Sequence, residues 1–199
     1  MKWTTQVLIV ALFGLVSVQA HADDKKSSSS STKLVQTLTP LKDLVAAVSS
    51  NAPQPFLIAP DVPAVVGIGP MPLEAVTYPI FLDILANNEL AAVRGSNVTS
   101  IVRARAVRQY PMPVITDDDS MIGADGEWIT RVIVLDNVAA PSLVPVLRPL
   151  LPAAGHLAAN KATNTLIIVD RAGNVRRVVA LARDIDARHS AKTPSGDAD

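Results

Sequence analysis

The chain has 199 residues, enough for one or two domains, and its 18 basic and 18 acidic side chains cancel. A zero balance gives no electrostatic ground for nucleic-acid binding, and the absence of cysteine excludes thiol catalysis, thiolate metal sites and disulfide staples. Hydrophobic residues make up 49% of the chain but aromatics only 4%, so a core must be built from Val, Leu, Ile and Ala, and 15 prolines argue against long uninterrupted helices.

Met1 to Ala22 reads as a secretory signal. Lys2 supplies the positive start, and Val7 to Val18 is an apolar run too short for a spanning helix. Ala20-His21-Ala22 is a small-x-small cleavage pattern, which places cleavage after Ala22 and the mature chain in the periplasm, with a net charge of −1 once Lys2 is gone. Asp23 to Thr32 is polar and serine-rich, a flexible leader.

Lys33 to Leu38 is an expected strand. Thr39-Pro40 is placed to open a helix, Thr as cap and Pro at the first helical position. Leu41, Leu44, Val45 and Val48 then fall on one stripe. Phe56 to Ile58 and Val65 to Ile68 are expected strands, separated by a turn at Pro60 to Pro63. Leu73 to Asn87 is helical in its second half, and Pro79 requires a start near Thr77 or a kink. Leu90 to Val93 and Val98 to Val102 predict a hairpin around Gly95-Ser96-Asn97, residues that accept positive φ. Ala104 to Glu127 has prolines, glycines and Asp117-Asp118-Asp119 but little periodicity, and reads as a linker.

Val132 to Leu135 is a further strand, Pro141 to Leu147 a short helix stopped by Pro149, and Leu166 to Val169 a β-rich run after the polar turn Lys161 to Asn164. Asp170 is positioned to cap a last helix carrying Val175, Val178, Val179, Ala182 and Ile185 on one face. The order strand, helix, strand, strand, helix lets two helices cover one face of a small sheet. Ala187 to Asp199 is polar and reads as a disordered tail.

The residues Thr130 to Val138, Leu147-Arg148-Pro149-Leu150, Gly155-His156-Leu157 and Asn164 to Arg171, in that order, resemble the second periplasmic domain of the secretin family, on its type II secretion (general secretion pathway D) branch. Phe56 to Val62, Pro72-Leu73, Phe81 to Leu85 and Ala91-Ala92-Val93 resemble the first secretin domain, which is itself similar to the signalling domain of TonB-dependent receptors. Two departures stand out: the family carries glycine where Asn88-Glu89 stands, and a longer helix where Pro79 interrupts. The resemblance implies an α+β fold of two small domains, the first secretin/TonB-receptor signalling-like over 33–103, the second a KH-like βαββα domain over 129–186. A signal at 1–22, a leader at 23–32, a linker at 104–128 and a tail at 187–199 complete the expected layout.

By the same resemblance the protein is a non-enzymatic periplasmic scaffold of type II secretion. Its first domain would dock an inner-membrane component of the secretion platform. Its second would pack against a like domain, in itself as a homo-oligomer or in a full-length secretin associated with the outer membrane. The alternative is a periplasmic signalling or regulatory module resting on the receptor-like first domain. No series of alternating ten-residue strands is present to close a pore. The expected contact residues are Val65, Val66, Ile68, Val98 and Ile101 in the first domain, and Asn164, Arg171, Arg176 and Arg177 in the second.

No catalytic or cofactor constellation accompanies these. Asp117-Asp118-Asp119 lacks the spacing of a calcium loop and reads as solvated chain. His21, His156 and His189 show no zinc-ligand spacing, and Gly67-Ile68-Gly69-Pro70 lacks the lysine and the length of a phosphate loop. A nucleic-acid-binding KH module needs a G-x-x-G loop, which is absent between the helices. The expected absences are therefore a metal, a cofactor, a nucleic-acid partner and a small-molecule substrate.

Overall fold

The computed structural model describes residues 37–116 and 123–192. The cleavage site at Ala22, the leader, Asp117-Asp118-Asp119 and the chain after Lys192 lie outside the described residues.

The described chain begins with β1 (Leu38–Pro40), which pairs antiparallel with β3 (Val65–Gly67), Thr39 opposite Val66. This ladder takes Thr39 away from the capping role expected of it: the residue is buried in the strand. Helix α1 (Leu41–Val48) instead starts after Pro40 with no side-chain cap, and the Leu41 N–H donates to Ala64 O at 2.8 Å. Leu41, Leu44 and Val48 are buried as their spacing predicts.

Helix α2 (Tyr78–Asn87) starts after Thr77 without a kink, with Pro79 in its first turn, where a missing N–H costs nothing. Phe81 meets Phe56 edge-on at 5.2 Å. Beyond the helix, the Asn88 carboxamide accepts Gly67 N–H (2.9 Å) and donates to Gly67 O (2.8 Å), acting for β3 as a neighbouring strand would. Glu89 then takes φ 57°, a left-handed backbone held by a non-glycine residue.

Strands β4 (Leu90–Arg94) and β5 (Thr99–Arg103) form the expected hairpin, and β2 (Phe56–Ile58) adds parallel to β5, giving the order β2-β5-β4. The turn closes through Gly95 N–H to Val98 O at 2.9 Å. None of its residues uses the positive φ expected there, because the four-residue connection reverses the chain without it. Leu90, Ala92 and Ile101 face α1 and α2, whereas Ala91, Val93 and Val102 point the other way.

The stretch read as a linker is more ordered than its composition implied. Ala104–Gln109 is a 3₁₀ turn anchored by fully buried Val107, and β6 (Val114–Ile115) pairs parallel with β7 (Trp128–Val134). Strands β7 and β9 (Thr165–Arg171) then pair antiparallel from Trp128↔Arg171 to Val134↔Thr165, and β8 (His156–Asn160) lines the other side of β9. Helices α3 (Ala140–Leu147) and α4 (Ala172–Lys192) cover one face. The resulting core holds Ile129, Ile133, Leu147, Leu166, Ile168, Val175 and Val178.

Two expectations at α4 are corrected. The helix runs to Lys192, past residue 187 where a disordered tail was expected to start, and its last turns carry an Asp184–Arg188 pair at 2.7 Å. Asp170 does not cap the helix. Its buried carboxylate accepts Arg171 N–H (2.7 Å) and Asn174 Nδ2–H (2.5 Å), and burial pushes its pKa up against those two bonds. The first N–H groups of α4 go instead to Glu127 O (from Ala172, 2.8 Å) and Asp125 O (from Gly173, 2.9 Å).

Candidate protein-interaction surfaces

Exposed apolar side chains in the first half of the molecule gather at strand edges. Leu38 on β1 is 69% exposed, Leu57 on β2 57%, Val65 on β3 46% and Ile58 43%. Ile58 and Val65 line an apolar groove of about 460 Å³ formed by Pro40–Lys42 and Ile58–Val65. β2 has a partner on one side only, and in the two-stranded β1–β3 ribbon the outer side of β3 is met at Gly67 by the Asn88 carboxamide, so the outer edges of β2 and β1 are the ones without a neighbouring strand among the described residues. Open edges flanked by exposed apolar groups suit strand addition by another chain.

The residues singled out from the sequence divide sharply. Val65 lies on this surface. Val66 (1% exposed), Ile68 (9%) and Ile101 (0%) do not: strand alternation turns Val66 and Ile101 into the core, and Ile68 packs beside them. Val98 is half-buried at the hairpin turn. Leu38, Leu57 and Ile58 were missed, although the same alternation that buries Val66 exposes Val65.

In the second half, Asn164 is a structural clasp. It holds φ 49°, accepts Ala140 N–H at 2.7 Å, and donates to Leu135 O (2.7 Å) and Val138 O (3.0 Å). Asp186, at the far end of α4, accepts N–H groups from Asp136 (3.0 Å), Asn137 (2.8 Å) and Val138 (2.7 Å). Burial alone would raise its pKa, but these backbone bonds outweigh it and hold the carboxyl below its ordinary value. Arg171 is half-buried at the end of β9. Arg177 donates to Leu150 O at 3.2 Å, and Arg176 pairs with Asp125. Asn164, Arg176 and Arg177 thus have intramolecular work.

The lead-in to β7 joins the halves. Buried Glu127 accepts Tyr78 Oη–H (2.8 Å) and Arg94 Nη2–H (2.5 Å) on one carboxylate oxygen. Burial, then the hydrogen bond and charge of Glu127, push the Tyr78 hydroxyl above its ordinary pKa. Gly126 lies against Leu82, where a Cβ would come within 2.6 Å of the leucine Cβ. Ala91, Val93 and Val102 pack with Trp128 and Val169 in a shared apolar cluster. Among the described residues no group of three or more His, Asp or Glu converges as a metal site, and no helix is long and apolar enough to cross a membrane.

Residues 130–190, which span most of this second sheet and its helices, match the family model described as the bacterial type II/III secretion system short domain. This segment carries the secretin short domain, and the chain as a whole is similar to the N-terminal domains of secretins. It is 28% identical over 153 residues to Secretin GspD 2 of Escherichia coli O78:H11, covering 74% of this chain and 22% of that protein. Against Secretin XcpQ of Pseudomonas aeruginosa the identity is also 28% over 153 residues, with 75% and 22% covered. It is similar in structure to a chain of the Klebsiella pneumoniae type II secretion system outer membrane complex, which contains PulD, PulS and the PulC HR domain. There the TM-score is 0.60 at 25% identity, over 76% of this chain and 26% of that one. The chain thus spans about a fifth of the length of these curated relatives.

Proposed function

We propose that this protein is a non-enzymatic periplasmic scaffold of type II secretion, and that its first half docks another component of the secretion machine. The observation that carries this reading is the alignment of both halves, over 74% of the chain, with the N-terminal region of a secretin. The Klebsiella complex contains a secretin together with PulS and the PulC HR domain, and a partner of that kind suits the open apolar edges around Leu38, Leu57, Ile58 and Val65. The second half packs against a like domain, in another copy or in a full-length secretin, and the inner-membrane platform supplies the partner of the first.

The test is a crosslinked pull-down from membranes and periplasm with the tagged full chain, read by mass spectrometry. A full-length secretin or an inner-membrane secretion component is the expected prey, and Leu38→Asp with Val65→Asp is expected to remove the inner-membrane component. Both side chains are exposed, so the double variant keeps its fold to within about 0.5 kcal/mol. Recovery of a receptor regulator in place of secretion components, or undiminished recovery by the double variant, refutes the reading.

A further inference from the structure

A second surface has a different chemistry. A cleft of about 410 Å³ lies where the 3₁₀ turn after β5 faces the loop before β8. Arg103, Arg105 and Arg108 line one side and Pro152–Ala154 the other, with Ala86 and Ala104 adding small apolar surface. Glu89 is the one acidic residue of the lining. Arg103 gives its Nε–H to Asp61 O at 2.9 Å. Arg105 and Arg108 are exposed and make no ion pair with another described residue.

The spacing of these two cations is informative. A 3₁₀ turn has three residues per turn and rises about 2 Å per residue, so residues i and i+3 eclipse about 6 Å apart. An extended chain repeats its side chains on one face every second residue, about 6.6 Å apart. Carboxylates on alternate residues of an extended segment therefore meet both guanidinium groups in register, and each planar fork takes a carboxylate bidentately. A free phosphate bridges two guanidinium groups but has no chain to lie along the cleft. The opposite wall, proline and alanine, accepts the methylene groups of such a segment and has no side-chain donor to leave unpaired.

We propose that this cleft binds an extended acidic segment of a partner protein, with Asp or Glu on alternate residues. The site shares no residue with the apolar groove, so it goes beyond the docking reading and stands independently of it.

The experiment is fluorescence anisotropy at about 0.15 M salt, with the full chain and a dye-labelled peptide alternating Glu and Thr. Binding is expected for this peptide and not for its Gln–Thr counterpart. Arg105→Glu with Arg108→Glu, and the milder pair Arg105→Gln with Arg108→Gln, are each expected to weaken it about tenfold or more, a loss of about 1.4 kcal/mol. Arg183→Glu, on the exposed side of α4, and the Leu38→Asp/Val65→Asp variant are expected to leave it unchanged. Equal binding of the Gln–Thr peptide, or full affinity in both double variants, overturns the proposal. Displacement of the peptide by an equal concentration of inorganic phosphate reassigns the cleft to small anions and overturns it as well.

Discussion

The two halves of the molecule solve the same problem differently. The second half closes one four-stranded sheet under two helices, and its core is continuous from Ile115 to Ala182. The first half divides its strands between a three-stranded sheet and a two-stranded ribbon, and leaves Leu38, Leu57, Ile58 and Val65 in solvent. The comparison teaches where a small α/β unit keeps its capacity to associate. The second half also exposes Val114, Val134, Val146 and Leu181, but one each on β6, β7, α3 and α4, whereas the first half holds its four on the short strands β1, β2 and β3.

The largest expected effect comes from removing the joint between the halves. Glu127→Ala leaves the Arg94 guanidinium and Tyr78 hydroxyl without their shared acceptor, a loss of about 2–3 kcal/mol at a largely desolvated hydrogen-bonded charge. Urea unfolding of the variant is expected to separate into two transitions, the first half melting earlier. A single transition at the parent midpoint rejects Glu127 as the joint.

In that two-transition background, Asp186→Ala addresses the second half alone, because its carboxylate receives three backbone N–H groups around Asn137. The expected loss is about 2 kcal/mol, in the later transition only. The folded-state pKa of Asp186 is depressed, so its contribution is complete above the ordinary aspartate value of about 4 and disappears as pH falls through the lower folded value. Parent and variant are therefore expected to differ by a constant amount above about pH 4 and to converge in stability as pH falls below it. A difference that persists unchanged below that pH contradicts the assignment.

The smallest effect has the opposite sign. Glu89→Gly relieves a left-handed non-glycine backbone and is expected to stabilise the first half by about 1 kcal/mol, seen as a rise in the earlier midpoint. Failure of the midpoint to rise means that the Asn88 bonds to Gly67 already absorb the strain.

Much of this fold was legible where periodicity is strong. The Leu41–Leu44–Val48 stripe, the β4–β5 hairpin and the β7-α3-β8-β9-α4 order follow from spacing and turn residues alone. The misreadings came where a distant partner decided. Thr39 looks like a cap until Val66 pairs with it, and Asp170 looks like one until Asn174 and the Arg171 N–H claim its oxygens. A two-residue strand such as β6 has no period to read, and its pairing with β7 is set by the sheet. Three of the candidate contacts, Val66, Ile68 and Ile101, are buried for a related reason. Apolar character places a residue on a strand, but only register tells which face it takes, so Val66 and Ile101 went inward while Leu57 and Val65 stayed out.

The strap from Asp125 to Glu127 is bound on both sides. Its side chains and glycine grip Tyr78, Arg94 and Leu82, while its carbonyls accept the first N–H groups of α4. Mechanically this makes the strap a crank between the first half and the last helix. A torque applied to α2 or β4, which carry Tyr78, Leu82 and Arg94, meets the root of α4 through these three residues.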